Sequence, residues 1–228
     1  MANGAVILDV DGTLVDSNDA HARAWVDAFA RHGIAVPFEK VRRAIGMGGD
    51  KLMPSVSGIR EDSEQGQAIS RDRAELFQST YLPQVRPFPR VRELVERFLA
   101  DALTLAVASS AKEDELEPLL QIAAVADLIP HRTSSDDAER SKPDPDIVQA
   151  ALREARSERA RTIMIGDTPY DLEAAARARI EFVGLECGGW SRADLRGAAQ
   201  VFASPADLLE RYEQSVCARL RPLTARTS

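Results

Sequence analysis

The sequence predicts an α/β protein, a doubly wound parallel sheet interrupted after its first strand by a helical insertion. Three observations carry that prediction. Short apolar runs recur, and each stops at a polar cluster: residues 5–8 before Asp9, 103–108 before Ser109, and 162–165 before Gly166-Asp167. Near-continuous apolarity over so few residues marks strands buried on both faces. A helical pattern follows each run, and such β–α alternation lays strands parallel with helices on both sides of the sheet. Between the first run and Pro87-Phe88-Pro89, helical periodicity continues without a convincing strand, over a length too great for an ordinary strand-to-helix connection. The expected organisation is a core domain of residues 1–16 and 86–228, with a helical domain, 17–85, inserted into it.

Taken in order, the first strand ends in Asp9-Val10-Asp11-Gly12-Thr13. Alternation along a strand aims residues 9 and 11 at one face, where two like charges are costly unless a cation or a shared proton offsets them. Magnesium is the simplest remedy, because it takes oxygen ligands from one or two carboxylates together with waters and a substrate phosphate. The segment therefore points to phosphoryl transfer. In the first helix of the insertion His21, Trp25, Ala28 and His32 share a face by their spacing, and Gly46-Met47-Gly48-Gly49 breaks the block midway. The strongly charged run 60–75 reads as a solvated helix face.

Past the insertion, three helix starts follow one grammar. Ser110 with Glu113 predicts a capping box, Thr168-Pro169-Tyr170-Asp171 supplies an N-cap, a first-turn proline and a carboxylate, and Asp144-Pro145-Asp146 repeats the pattern. Unpaired N–H groups at such starts suit a phosphate or a carboxylate, and ligands of open α/β sheets bind at the carboxyl ends of the strands. Cys187-Gly188-Gly189-Trp190 reads as a loop, and the tail after Tyr212, with Arg219, Arg221 and Arg226, is expected to fray at its end.

Composition narrows the function classes. A chain of 228 residues with 44% hydrophobic and 29% charged residues buries a real core. No apolar stretch approaches the roughly 18 residues of a membrane span, and the N-terminus lacks a basic segment followed by an apolar one, so a cytoplasmic protein without membrane partners is expected. Cys187 and Cys217 have neither metal-ligand nor paired redox spacing and read as buried or idle thiols. A net charge of −7 argues against nucleic-acid partners, while a local field can still attract a small anion.

Four elements now stand in order: Asp9-Val10-Asp11-Gly12-Thr13, Ser109, Lys142-Pro143, and Gly166-Asp167 with Asp171 four residues on. Together they resemble the haloacid dehalogenase superfamily of phosphatases, in its phosphoglycolate phosphatase and β-phosphoglucomutase-like branch. The resemblance implies a Rossmann-like core with a mobile helical cap, and hydrolysis of a small phosphorylated metabolite by a monomer or homodimer. It makes Asp9 the nucleophile that forms an aspartyl-phosphate, and Asp11 the general acid and then base. Carbon–halogen cleavage is disfavoured, since dehalogenases proper lack a carboxylate at the second position. Lys142 would neutralise charge on nucleophile and phosphate, while Thr13, Ser109 and Ser110 bind phosphate. Mg²⁺ would be held by Asp9, Asp11 (through its backbone carbonyl), Asp167 and Asp171, although a capping role accounts for Asp171 equally well.

For the cap, His21 and Lys51 are the candidate substrate-reading residues. Arg42 and Arg43 beside Lys51 would suit a substrate carboxylate, or else lie solvated, and His21 reads equally as a packed helix residue. A histidine at this interval also resembles the sugar-phosphate mutases. Those enzymes, however, hold their second phosphate with an arginine near the cap's glycine loop, where this chain has Gly48-Gly49. A catalytically silent relative is the third alternative, and retention of Asp9, Asp11, Lys142 and Asp167 counts against it. Arg90 and Arg179 stand where members of the family often carry glycine, and would be strained if the backbone needs a positive φ there.

Overall fold

A computed structural model describes residues 4–222. Strand β1 (Ala5–Leu8) leads through the two-residue β2 (Val15–Asp16) into helices α1 (Asn18–Arg31), α2 (Phe38–Ala44), α3 (Gly49–Ser57) and α4 (Glu64–Leu76). The chain returns through β3 (Arg86–Pro87) and continues as α5 (Val91–Ala100), β4 (Thr104–Ala108), α6 (Glu113–Ile122), β5 (His131–Thr133) and α7 (Asp146–Glu154). It ends with β6 (Thr162–Gly166), α8 (Pro169–Ala178), β7 (Glu181–Leu185), β8 (Gln200–Phe202) and α9 (Pro205–Glu210). The large sheet runs β5-β4-β1-β6-β7-β8, with every pairing parallel, so the expected doubly wound α/β core is present.

Period-two alternation explains the layering. Val6 and Leu8 of β1 face one helical layer with Leu94 and Phe98 of α5 and Leu119 of α6, while Ala5 and Ile7 face the other with Val148 of α7 and Ala175 of α8. The first of these cores continues without a break into the insertion, where Trp25, Phe29, Met53, Ile69 and Phe77 pack together. Phe29, Phe77 and Phe98 are each completely buried. Truncating any one to alanine would cost about 3–5 kcal/mol.

Sequence order around β1 places the site. The chain moves outward from β1 to β4 and β5, then crosses back to β6 on the opposite side, so the direction of winding reverses between β1 and β6. A crevice opens at such a reversal, beyond the strands' carboxyl ends. Short antiparallel pairing of Val15 with Pro87 and Asp16 with Arg86 ties the two crossings between sheet and insertion together, a ladder too short to leave a strand signal in the sequence.

Several local expectations change. Thr168 does form a capping box with Asp171. Ser110 does not form one with Glu113, because α6 starts late, with Lys112 as its cap residue, and the Glu113 N–H donates to Asp136 from another loop (3.1 Å). Asp144 caps nothing, since its carboxylate is taken by Lys51 (2.5 Å) and Arg177 (2.8 Å). Arg90 and Arg179 do occupy left-handed backbone, at φ 64° and 61°. The tail is docked as far as it is described: Val216, Cys217 and Leu220 are buried, and Arg221 donates to Asp101 and Glu213, both at 2.6 Å. Arg226 lies outside the described residues. Among those described, no helix is long and apolar enough to cross a membrane.

Candidate active site

Asp9 extends β1 by donating its N–H to the Ile165 carbonyl of β6 (2.9 Å), which sets its side chain at the crevice. Gly12 then turns the chain at φ 77°. From β6 comes Asp167, and from the first turn of α8 Asp171, both buried. One carboxylate oxygen from each of Asp9, Asp167 and Asp171 lies within 4.8 Å of the others. Opposite them Lys142, entering from the loop before α7, is completely buried and donates to Asp9 (2.6 Å) and Asp171 (2.7 Å). Backbone crowding fixes the arrangement. A Cβ on Gly12 or on Gly188 would overlap the Asp167 carboxylate, so both positions exclude every larger residue.

Three buried carboxylates against one ammonium leave an excess of negative charge. Burial pushes the Asp9 carboxyl up to about 7; Lys142 opposes that rise, while Asp171 and Asp11 add to it. Asp167 is raised well above the usual range, first by burial and then by Asp9 and Asp171. Burial alone would lower Lys142, but Asp171 and Asp9 outweigh it and hold the ammonium charged. A divalent cation is the partner this set lacks, and the donors fit a hard one. Asp9 keeps an oxygen not used by Lys142, and each Asp167 oxygen has lone pairs beyond its contacts with Thr13 (3.4 Å) and Asn18 (2.9 Å). Asp171 is committed instead to Thr168 and Lys142.

The Asp11 side chain turns away from this cluster toward the insertion, because Ser17 (2.5 Å) and His21 Nε2 (2.8 Å) both bind its Oδ1. Arg73 is a donor only, so its 2.9 Å contact with His21 Nδ1 makes that nitrogen the acceptor and leaves the ring proton on Nε2, facing Asp11. Burial works to raise Asp11, yet His21 and Ser17 outweigh it and hold the carboxyl below its ordinary range. His21 is also stacked on Phe77 at 3.9 Å, so packing and polar contact coexist in one ring. Arg73 in turn pairs with the buried Glu115 of α6. The run 60–75 is therefore not simply a solvated face. Arg73 shares the inward stripe of α4 with Ile69 and Phe77 by four-residue spacings, and that spacing was the signal available in the sequence.

Ser109 is buried, with its hydroxyl accepting from the Ala111 N–H (3.0 Å), and Ser110 donates to the Gly46 carbonyl (3.1 Å) at the cleft. Lys51 is not brought to the cleft. It is held by Asp144 and the Ser141 carbonyl (2.6 Å), while Arg42 pairs with Asp19 (2.6 Å) and Arg43 lies over Trp190 (4.5 Å). Two contributors had no distinctive sequence signal. Asn18 gains its role only because the fold carries Asp167 and Gly188 to it, and Gly188 sits in a loop that closes on the acidic cluster from 170 residues away in the chain.

The family described as haloacid dehalogenase-like hydrolase matches residues 6–185, from β1 through β7. The chain belongs to this family. As a haloacid dehalogenase-like hydrolase it is similar to the Dickeya dadantii protein named "Probable phosphatase IndB", with 29% identity over 85% of each chain. It is likewise similar to the phosphoglycolate phosphatase of Caulobacter vibrioides, at 28% identity over 82% of this chain and 81% of that one. Among solved structures, a hydrolase from Pseudomonas syringae superimposes with a TM-score of 0.87 and 29% identity, covering 92% of this chain and 98% of that one.

Proposed function

We propose that this haloacid dehalogenase-like hydrolase is a Mg²⁺-dependent phosphatase of small phosphorylated metabolites that works through an aspartyl-phosphate on Asp9. The observation that carries this reading is the buried Asp9–Lys142–Asp171 bridge beside Asp167, with Asp11 opening on the same cleft. The Asp9 oxygen not bound to Lys142 attacks phosphorus, the ester P–O bond breaks, and Asp11 gives its proton to the departing oxygen. Asp11 then takes a proton from water as that water attacks phosphorus, the bond to Asp9 breaks, and inorganic phosphate leaves. His21 and Ser17 favour the carboxylate form of Asp11 that this second half requires.

Lys142 neutralises charge on Asp9 throughout, and Asp171, capped by Thr168, aims the ammonium. The bound Mg²⁺, held by Asp9, Asp167 and the Asp11 backbone carbonyl, would supply electrostatic stabilisation of the transferring phosphoryl group. Ser109, Ser110 and Thr13 are the remaining candidates for phosphate contact. Residues 17–85 act as the cap that closes over the cleft and excludes bulk water. Similarity to phosphatases, phosphoglycolate phosphatase among them, supports the reaction class. Asp9→Asn should abolish Mg²⁺-stimulated phosphate release from p-nitrophenyl phosphate, by at least about a thousandfold if covalent catalysis is the route. Retention of wild-type rates by that variant would refute the reading.

A further inference from the structure

The cleft over Asp9 and Asp11 is about 250 Å³, enough for the organic part of a small metabolite and not much more. Beyond the two aspartates its titratable lining is lopsided. Asp50, Glu61, Glu115 and Glu139 face His21, Arg73 and Lys112, and the Arg73 charge is already matched by Glu115. A second carboxylate on the substrate would enter an acidic wall, with Lys51, Arg42 and Arg43 all engaged elsewhere. Electrostatics therefore disfavour an ester such as 2-phosphoglycolate.

What the wall does offer is a buried donor and a buried acceptor without partners. Arg73 NH1 holds Glu115 Oε1 and NH2 holds His21, yet Arg73 Nε and Glu115 Oε2 make no hydrogen bond, although both atoms are shut away from solvent. Leaving two such atoms unsatisfied costs about 1–3 kcal/mol each, so each is an opening for a ligand group. An ammonium would satisfy only Glu115, and a carboxylate only Arg73. A hydroxyl both donates and accepts, so it suits both.

Resting on the phosphatase reading, we propose that the substrate is a polyhydroxy phosphate ester, a sugar or polyol phosphate, whose hydroxyls hydrogen bond to Arg73 and Glu115. Arg73 comes from α4 of the insertion and Glu115 from α6 beside the sheet, so such a substrate bridges the two sides of the cleft. Through His21 the same arginine is in contact with the Asp11 side chain, which links recognition of the alcohol part to the group that protonates it.

The test compares kcat/KM of the Mg²⁺-loaded protein for glucose 6-phosphate, sorbitol 6-phosphate, 2-phosphoglycolate and p-nitrophenyl phosphate. At least one of the two hydroxylated esters should exceed 2-phosphoglycolate tenfold or more. In Glu115→Gln and Arg73→Lys, both checked for native melting, the ratio of kcat/KM for that ester to p-nitrophenyl phosphate should fall at least tenfold. A preference for 2-phosphoglycolate, or an unchanged ratio in both variants, overturns the proposal while leaving the phosphatase reading intact. Absence of Mg²⁺-stimulated hydrolysis of all four esters would instead overturn the phosphatase reading itself.

Discussion

Asn18 shows what single residues contribute around the acidic cluster. Its amide nitrogen donates to Asp167 (2.9 Å) and to the Gly188 carbonyl (3.1 Å), so one side chain orients a carboxylate and anchors the loop beside it. Partners of this kind hold metal-binding carboxylates in their productive rotamer, and their loss typically weakens metal affinity about 10–100-fold. Asn18→Leu should therefore raise the Mg²⁺ concentration that gives half-maximal thermal stabilisation by that factor, a binding readout that needs no turnover. An unchanged midpoint would show that Asp167 is held without it. At this scale the sequence was informative where side-chain identity alone carries the chemistry, as with Asp9, Asp11, Lys142 and Asp167. It was silent where a common residue becomes important by placement, as with Asn18 and Glu115, because nothing local marks an asparagine or a glutamate that the fold buries.

Elements were legible to the extent that their signals are local. Strands β1, β4 and β6 announce themselves by apolarity, and α8 by its capping box, since every partner lies within a few residues. Starts of α6 and α7 were misread because tertiary partners intervene: Asp136 caps Glu113, and Lys51 with Arg177 claims Asp144. Left-handed backbone at the end of α8 gives an expectation of its own. Arg179 there has φ 61°, a conformation that costs a side chain about 1–2 kcal/mol and that glycine adopts freely. Allowing for the extra entropy glycine loses on folding, Arg179→Gly should stabilise the protein by about 0.5–1 kcal/mol in urea unfolding. Destabilisation would mean that the arginine side chain contributes more than its strain.

For the molecule as a whole, the acidic cluster sets a conflict between stability and readiness to bind a cation. Asp9 takes up its proton near pH 7 when folded and near 3.8 when unfolded. Between those values the native state binds one proton more than the unfolded state at this position, so stability falls as pH rises through the window. In EDTA, the stability of the wild type relative to Asp9→Asn should decline from pH 4.5 to pH 7, and Mg²⁺ should reverse the decline at neutral pH. A difference that stays flat with pH would show that Asp9 does not hold the proton. Asp101 and the other depressed carboxylates act in the opposite sense, below about pH 4, which is why the comparison is made against the variant. Lys142 carries a separate consequence of the same architecture. An amine with no surface in contact with water, its three hydrogens directed at two aspartates, is beyond the reach of acylating reagents while the chain is folded. The rate at which that nitrogen becomes acetylated thus clocks the opening of the protein interior, and says nothing of the nucleophilicity of the lysine itself.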